Sequence, residues 1–204
     1  MISDEDQERA EAYTLIGHLF KAPPGKETID FLSEFEGDDS PLGSAVAALA
    51  AAARGASPDA VETEYGELFI YSTEKADTSP YAAVHRSGSH FGQALVDLRE
   101  DLAILGIAKR EGELEPEDHI SAISEVMAGL IAGRLGRGAD AEQAAVFFRK
   151  HVKPWMPTFA QMTGSLSFWL RMTIASMSAS RSAMAGCWPG SEMSKADTSV
   201  RLGA

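Results

Sequence analysis

The strongest constraint on the fold is an apolar period of three to four residues. In the clearest case the apolar residues step by four, three, four and three: Phe91, Leu95, Leu98, Leu102 and Leu105. Steps of this size place side chains on one face of an α-helix and do not fit the alternation of a half-buried strand. This segment is therefore predicted to be an amphipathic helix that ends at Gly106.

The same period recurs along most of the chain, and no alternating strand or hairpin turn interrupts it. Further helices are predicted over residues 10–20, 29–35, 44–53, 57–71, 116–131, 140–152 and 166–184. The fold class is therefore all-α: a single-domain helical bundle of roughly eight to ten helices. The domain is expected to span residues 1–185, and residues 186–204 are expected to form a flexible C-terminal tail.

Local residue patterns also predict two helix starts and one loop. Ser57 is predicted to cap the helix that begins at Pro58, because serine accepts from free N–H groups and proline suits the first helical position. Pro116 is predicted at the first position of a later helix, with Glu117 in its first turn. Residues 72–87 contain no long apolar period and are predicted to form a loop.

Charge and cysteine content limit the partners and the compartment. The net charge of −12 repels nucleic acid and favours a basic partner such as an arginine-containing peptide. Cys187 is the only cysteine, which fits a reducing compartment. The N-terminal residues are acidic where a secretory signal is basic, and the small-apolar run 44–53 is too short to span a membrane. We therefore expect a cytoplasmic protein without stable membrane insertion.

The stretch Asp118–His119 is the most specific candidate site. No nucleophile elbow, zinc-protease motif or dinucleotide fingerprint accompanies the five histidines, so the sequence gives little support to a catalytic site. A histidine beside an aspartate near a helix start can offer a donor and an acceptor to a ligand that enters between helices. Trp155, between Pro154 and Pro157, either anchors a partner or packs in the core.

Three ordered elements resemble the TorD/DmsD/NarJ family of cytoplasmic redox-enzyme maturation chaperones. The first element lies within residues 64–85 and matches at Glu64, Tyr65, Leu68, Phe69, Pro80 and Tyr81. The second matches at Glu115, Pro116, Asp118, His119 and Met127, and the third is the stretch 151–157. The resemblance covers roughly residues 8 to 180 and implies a TorD-like fold. Ile123 and Ser124 depart from the family, which often has a Glu-Leu pair there.

The resemblance implies a chaperone without a catalytic reaction. Family members bind the twin-arginine signal peptide, or another part of the apo form, of a molybdenum- or tungsten-dependent oxidoreductase before its molybdopterin cofactor is inserted. They occur as monomers or domain-swapped homodimers, with a hinge here near residues 106–119. No cofactor is implied, although weak guanine-nucleotide binding is associated with some members. The client-binding residues implied or inferred here are Glu115, Pro116, Asp118, His119, Tyr65, Phe69, Tyr81 and Trp155.

Two other functions remain compatible with the sequence. One is a helical adaptor or regulatory dimer, in which Asp118 and His119 only begin a helix. The other is a nucleotide-binding enzyme that uses Asp118 and His119 in its site.

Overall fold

The computed structural model describes residues 2–37, 39, 41–71, 78–136, 141–163 and 200–202. Within these ranges the chain is mainly helical with almost no strand, which confirms the predicted all-α bundle. Among the same residues, no helix combines the length and the apolar character that a membrane crossing requires.

The described residues form nine α-helices, two π-helical segments and a short two-stranded ribbon. The α-helices are α1 (Asp4–Lys21), α2 (Lys26–Ser33), α3 (Pro41–Arg54), α4 (Pro58–Tyr65), α5 (Ala82–Ser87), α6 (Gln93–Leu105), α7 (Ile120–Ile131), α8 (Ala141–Phe147) and α9 (Met156–Thr163). The π-helical segments are π1 (Gly66–Ile70) and π2 (Phe148–Val152), and the strands are β1 (Ile107–Lys109) and β2 (Val200–Leu202).

Helix α7 forms the centre of the bundle. It is apolar nearly all round, and nine of its twelve residues are buried, which is the pattern of a core helix. Helix α1 packs along it and approaches closely at Gly17, where a Cβ atom would lie 3.3 Å from both the Glu125 side chain and the Ser121 carbonyl oxygen. The N-cap of α7 is His119, so the core packing of this helix fixes the position of that residue.

An aromatic cluster joins the two π-helical segments through the core. The Phe20 ring lies 5.6 Å from Phe69 in π1 and 5.7 Å from Phe159 in α9. Trp155 follows π2, contacts Phe159 at 5.8 Å and is only 1% exposed. Edge-on contacts such as the two made by Phe20 add to the gain from burying the rings.

Two sequence predictions about the middle of the chain were wrong. Residues 82–87, within the predicted loop, form α5, because long-range bonds described below stabilise a segment that lacks its own apolar period. Phe91 was predicted on the apolar face of α6 but is 84% exposed. Gly88, in the left-handed region at φ 67°, ends α5, and α6 begins only at Gln93, so Phe91 lies in the connecting turn.

The predicted start of α7 at Pro116 was also wrong. The His119 N–H donates to the Pro116 carbonyl oxygen at 3.2 Å and closes a turn over residues 116–119. The helix begins at Ile120, with His119 as its N-cap. The predicted Ser57 cap is confirmed, since its side chain accepts from Ala60 N at 3.3 Å and Pro58 opens α4.

A short ribbon that the sequence did not predict connects distant parts of the chain. Gly106 ends α6 with φ 71°, and β1 follows it directly and pairs antiparallel with β2. The predicted helix over residues 166–184 lies outside the described residues. The same holds for the predicted tail over 186–204, apart from residues 200–202.

Candidate functional site

A cavity of about 220 Å³ lies beside the connection between α6 and α7. Its apolar lining comes from α6, β1 and α7: Leu102, Ile107, Ala122 and Val126. Its polar and charged lining is Lys21, Tyr65, Lys109, Glu113, Glu115, Glu117, His119 and Ser121. The cavity therefore combines an apolar floor with three carboxylates contributed by residues 113–117.

Two short segments pair to form one wall of the site. The Ile120 N–H donates to the Pro80 carbonyl oxygen at 2.8 Å, and the Ala82 N–H donates to the Asp118 carbonyl oxygen at 3.0 Å. Together these bonds form an isolated antiparallel bridge between Tyr81 and His119. Two of the three elements of the family resemblance, which are far apart in sequence, are thus bonded to each other.

The Asp118 carboxylate is directed inward, away from solvent. It is 1% exposed, and its Oδ2 atom accepts from the Ala83 N–H at 2.9 Å near the start of α5. Burial raises the pKa of this carboxyl above its usual range. Among the described residues its Oδ1 atom has no hydrogen-bond partner. Asp118 therefore holds α5 in place, and its carboxylate is buried away from solvent.

His119 caps α7 as a neutral ring. The Ser121 N–H donates to its Nδ1 atom at 3.2 Å, and the Ser121 hydroxyl lies 2.6 Å from the same atom. Because Nδ1 accepts, the proton of the neutral ring is on Nε2. The ring is 6% exposed, and burial lowers its pKa to about 4. His119 borders the cavity, so Nε2–H is the ring's remaining donor for a ligand.

Tyr81 connects this wall to the acidic rim. Its half-buried ring lies 5.2 Å from both the His90 and the His119 rings, and its hydroxyl donates to the Glu115 carboxylate. Burial and this bond raise the pKa of Tyr81. Lys109 Nζ donates to the Glu115 carbonyl oxygen at 2.9 Å. These bonds fix the exposed Glu115 beside the cavity.

The carboxylate of Glu117 is already paired. Arg99 donates to its Oε2 atom from Nε at 2.9 Å and from Nη2 at 2.8 Å. Partial burial raises the pKa of Glu117, but the bonds from Arg99 outweigh burial and the net shift is downward. The negative charge that the sequence assigned to this position is therefore largely neutralised within the chain.

The remaining predicted aromatic residues lie mainly in the core. Tyr65 is buried and donates from its hydroxyl to the Phe20 carbonyl oxygen at 3.0 Å, although it also borders the cavity. Phe69 packs in the aromatic cluster. Trp155 donates from Nε1 to the His151 carbonyl oxygen at 2.7 Å and stacks on His85 at 5.4 Å. The structure brings Tyr65, Tyr81, Glu115 and His119 together, and it places Phe69 and Trp155 behind them.

Sequence reasoning did not identify several residues of the cavity. Glu113 belongs to the acidic run 111–118, so its charge was a usable signal. Lys21 and Leu102 come from α1 and α6 and carry no local signal of a site. Lys109 and Ile107 lie on a strand that no periodicity predicted.

Comparison with known proteins identifies the family. The family model described as nitrate reductase delta subunit matches residues 36–161, which is more than half of the chain. The chain belongs to this family, the NarJ/TorD type of redox-enzyme maturation proteins. Membership supports a maturation-chaperone role, the class of function that the resemblance implied.

A search of solved structures also found a match. It is described as a redox enzyme maturation protein from Archaeoglobus fulgidus, with 24% identity and a TM-score of 0.47. The match covers 76% of this chain and 91% of that one. A search of curated proteins found no significant match.

The buried position of Asp118 leads to a stability prediction. We expect Asp118→Ala to lower the free energy of unfolding by about 1–3 kcal/mol, because it leaves the buried Ala83 N–H without an acceptor. Asp118→Asn keeps an acceptor oxygen and removes the buried charge, so its cost should be clearly smaller. Urea unfolding at pH 7 measures both values.

One control variant and one pH test accompany this prediction. Asp39→Ala removes an exposed aspartate and should leave the free energy of unfolding nearly unchanged. Because the folded-state pKa of Asp118 is raised above the unfolded value, the wild type should lose stability relative to Asp118→Asn as the pH rises between these two values. Equal costs for the Ala and Asn variants would contradict the assigned role.

Proposed function

We propose that the chain is a cytoplasmic chaperone that binds the twin-arginine signal peptide, another part of the apo form, or both, of a molybdenum- or tungsten-dependent oxidoreductase. It holds this client until the molybdopterin cofactor is inserted, and it catalyses no reaction itself. The observation that carries the proposal is the cavity beside residues 113–119, which joins an apolar floor to a carboxylate rim.

The cavity suits an arginine side chain with apolar neighbours. An arginine has an apolar stem that can lie on Leu102, Ile107 and Val126, and a planar head that pairs with carboxylates through two parallel hydrogen bonds. Since Glu117 is bonded to Arg99, we assign the contact with a client arginine to Glu113 and Glu115. The net charge of −12 attracts a basic segment from a distance.

The other predicted residues act around this contact. His119 offers its Nε2–H group to a client carbonyl oxygen, and Tyr81 positions Glu115. Pro116 shapes the turn before α7. Asp118 acts through its bond to α5, while Tyr65, Phe69 and Trp155 support the cavity from the core.

Calorimetric titration with twin-arginine leader peptides of molybdoenzymes from the same genome tests the proposal. We expect one leader to bind with micromolar affinity and its Lys-Lys version to bind at least tenfold more weakly, because lysine lacks the planar fork of arginine. Glu113→Gln/Glu115→Gln should weaken binding at least tenfold, or by about 1.4 kcal/mol. Light scattering of the same samples measures whether the binding species is a monomer or a dimer.

The matched control is Glu34→Gln/Glu36→Gln. It removes the same charge from two exposed glutamates with the same spacing, neither of which lines the cavity. It should leave the affinity within about twofold of the wild type, because separated surface charges act weakly in salt. Equal weakening by both double variants would contradict the assigned site. Absence of binding to every leader and every apo-enzyme segment would favour the helical-adaptor function.

A further inference from the structure

Strand β1 has an unusual partner. Its three residues lie in the connection between α6 and α7, between Gly106 and the turn that the Glu113 N–H closes on the Arg110 carbonyl oxygen at 3.2 Å. Its main-chain bonds are made with residues 200–202, more than ninety positions away in sequence. The far end of the chain thus covers a strand edge inside the predicted hinge 106–119.

The covered edge belongs to the wall of the cavity. Ile107 and Lys109 both line the cavity, and residues two apart in a strand share one face. In the antiparallel register Leu202 stands opposite Ile107, Val200 opposite Lys109 and Arg201 opposite Ala108. An extended segment bound at this edge therefore runs directly beside the proposed client contact.

The chemistry of the pairing permits exchange. Main-chain hydrogen bonds to a strand edge do not depend on sequence, so a different extended segment can make them. A ribbon of two three-residue strands is also marginal on its own. The occupying segment reads Val-Arg-Leu, an arginine between two apolar residues in a strongly acidic chain. The apolar residues Val200 and Leu202 hold the register positions opposite Lys109 and Ile107, which line the cavity, whereas Arg201 stands opposite Ala108, which does not.

We propose that β1 is a strand-addition site for an extended client segment with apolar residues at alternate positions, and that residues 200–202 occupy it as an internal competitor. The identity of the client rests on the proposed function, whereas the pairing and its exchange do not. A tethered segment competes at a fixed effective concentration. If it occupies the edge for 90–99% of the time, it weakens binding of a free segment by about 10- to 100-fold.

Proline variants of the full chain test the pairing. Ladder bonds alternate along an antiparallel pair, so either Arg201→Pro or Val200→Pro/Leu202→Pro removes the N–H groups that bond to β1. In one of these variants we expect amide hydrogen exchange within residues 107–109 to be at least tenfold faster than in the wild type. The matched control Val200→Thr/Leu202→Thr keeps its N–H groups and should exchange as the wild type does. Unchanged exchange in both proline variants would overturn the proposal.

A labelled peptide of residues 197–203, Asp-Thr-Ser-Val-Arg-Leu-Gly, tests the competition without any client. We expect it to bind the proline variant whose residues 107–109 exchange faster than in the wild type. Its affinity for this variant should be at least tenfold higher than its affinity for the wild type or for the threonine control. Equal affinities, or no binding to any of them, would overturn the strand-addition site. The leader that binds in the calorimetric titration should show the same order of affinities. If no leader binds, the proposed client is wrong, and the peptide result still decides the strand-addition site.

Discussion

Replacing Trp155 with alanine should lower the free energy of unfolding by about 3–5 kcal/mol, the range for truncating a large buried aromatic side chain. Trp155 is 1% exposed, stacks on His85 and contacts Phe159. The substitution also removes the donor to the His151 carbonyl oxygen. Urea unfolding followed by circular dichroism measures the change, and the slope of the transition reports whether it remains two-state.

Two further variants separate burial from hydrogen bonding at this position. Trp155→Phe keeps most of the apolar surface and loses the Nε1–H donor, so we expect a cost of about 1–2 kcal/mol. Phe91→Ala removes an aromatic ring that is 84% exposed and should change the free energy of unfolding by less than about 0.5 kcal/mol. A Trp155→Ala cost no larger than that of Phe91→Ala would contradict the core position of Trp155.

The second large effect is a pH dependence caused by His119. Its folded-state pKa of about 4 lies below the ordinary value of about 6.5, because burial disfavours the charged ring. Between these values the unfolded chain binds the proton more tightly than the folded chain does. The stability that the neutral His119 ring contributes is therefore fully present above the pKa of the unfolded state. It is lost as the pH falls toward the pKa of the folded state. For this group alone the loss from pH 7 to pH 5 is about 2 kcal/mol.

The His119→Asn variant isolates this contribution. Asparagine is a good N-cap and does not titrate, so the start of α7 is retained while the pH dependence of this position disappears. The quantity to compare is the difference in free energy of unfolding between wild type and variant at pH 7 and at pH 5. We expect the wild type to lose about 2 kcal/mol more than the variant. An unchanged difference would show that His119 is not buried as a neutral cap.

The helical fold could be read from the sequence because apolar periodicity reports burial directly. The steps of three and four before Gly106 predicted α6, and serine followed by proline predicted the start of α4. Where a segment is defined by contacts with a distant part of the chain, the same reasoning failed. Helix α5 depends on the Asp118 carboxylate and on the bridge between Tyr81 and His119, neither of which leaves a local signal.

The candidate site was predicted only in part, for a related reason. The motif residues 115–119 were found, but residues 116–119 were given the wrong local structure, since they form a turn before α7 and not its first helical turn. The orientation of Asp118 could not be predicted, because a buried and an exposed carboxylate look alike in sequence. The sequence also could not show that Glu117 is neutralised by Arg99, eighteen residues earlier.

The measurement that tests the central claim most directly is the molybdenum or tungsten content of the client enzyme. Each molybdopterin-dependent oxidoreductase of the host is purified from cells with and without this chain. We expect one of them to lose most of its metal when the chain is absent. The wild-type chain and Glu34→Gln/Glu36→Gln should restore the metal, and Glu113→Gln/Glu115→Gln should not. Full metal content in every oxidoreductase without the chain would contradict the maturation function.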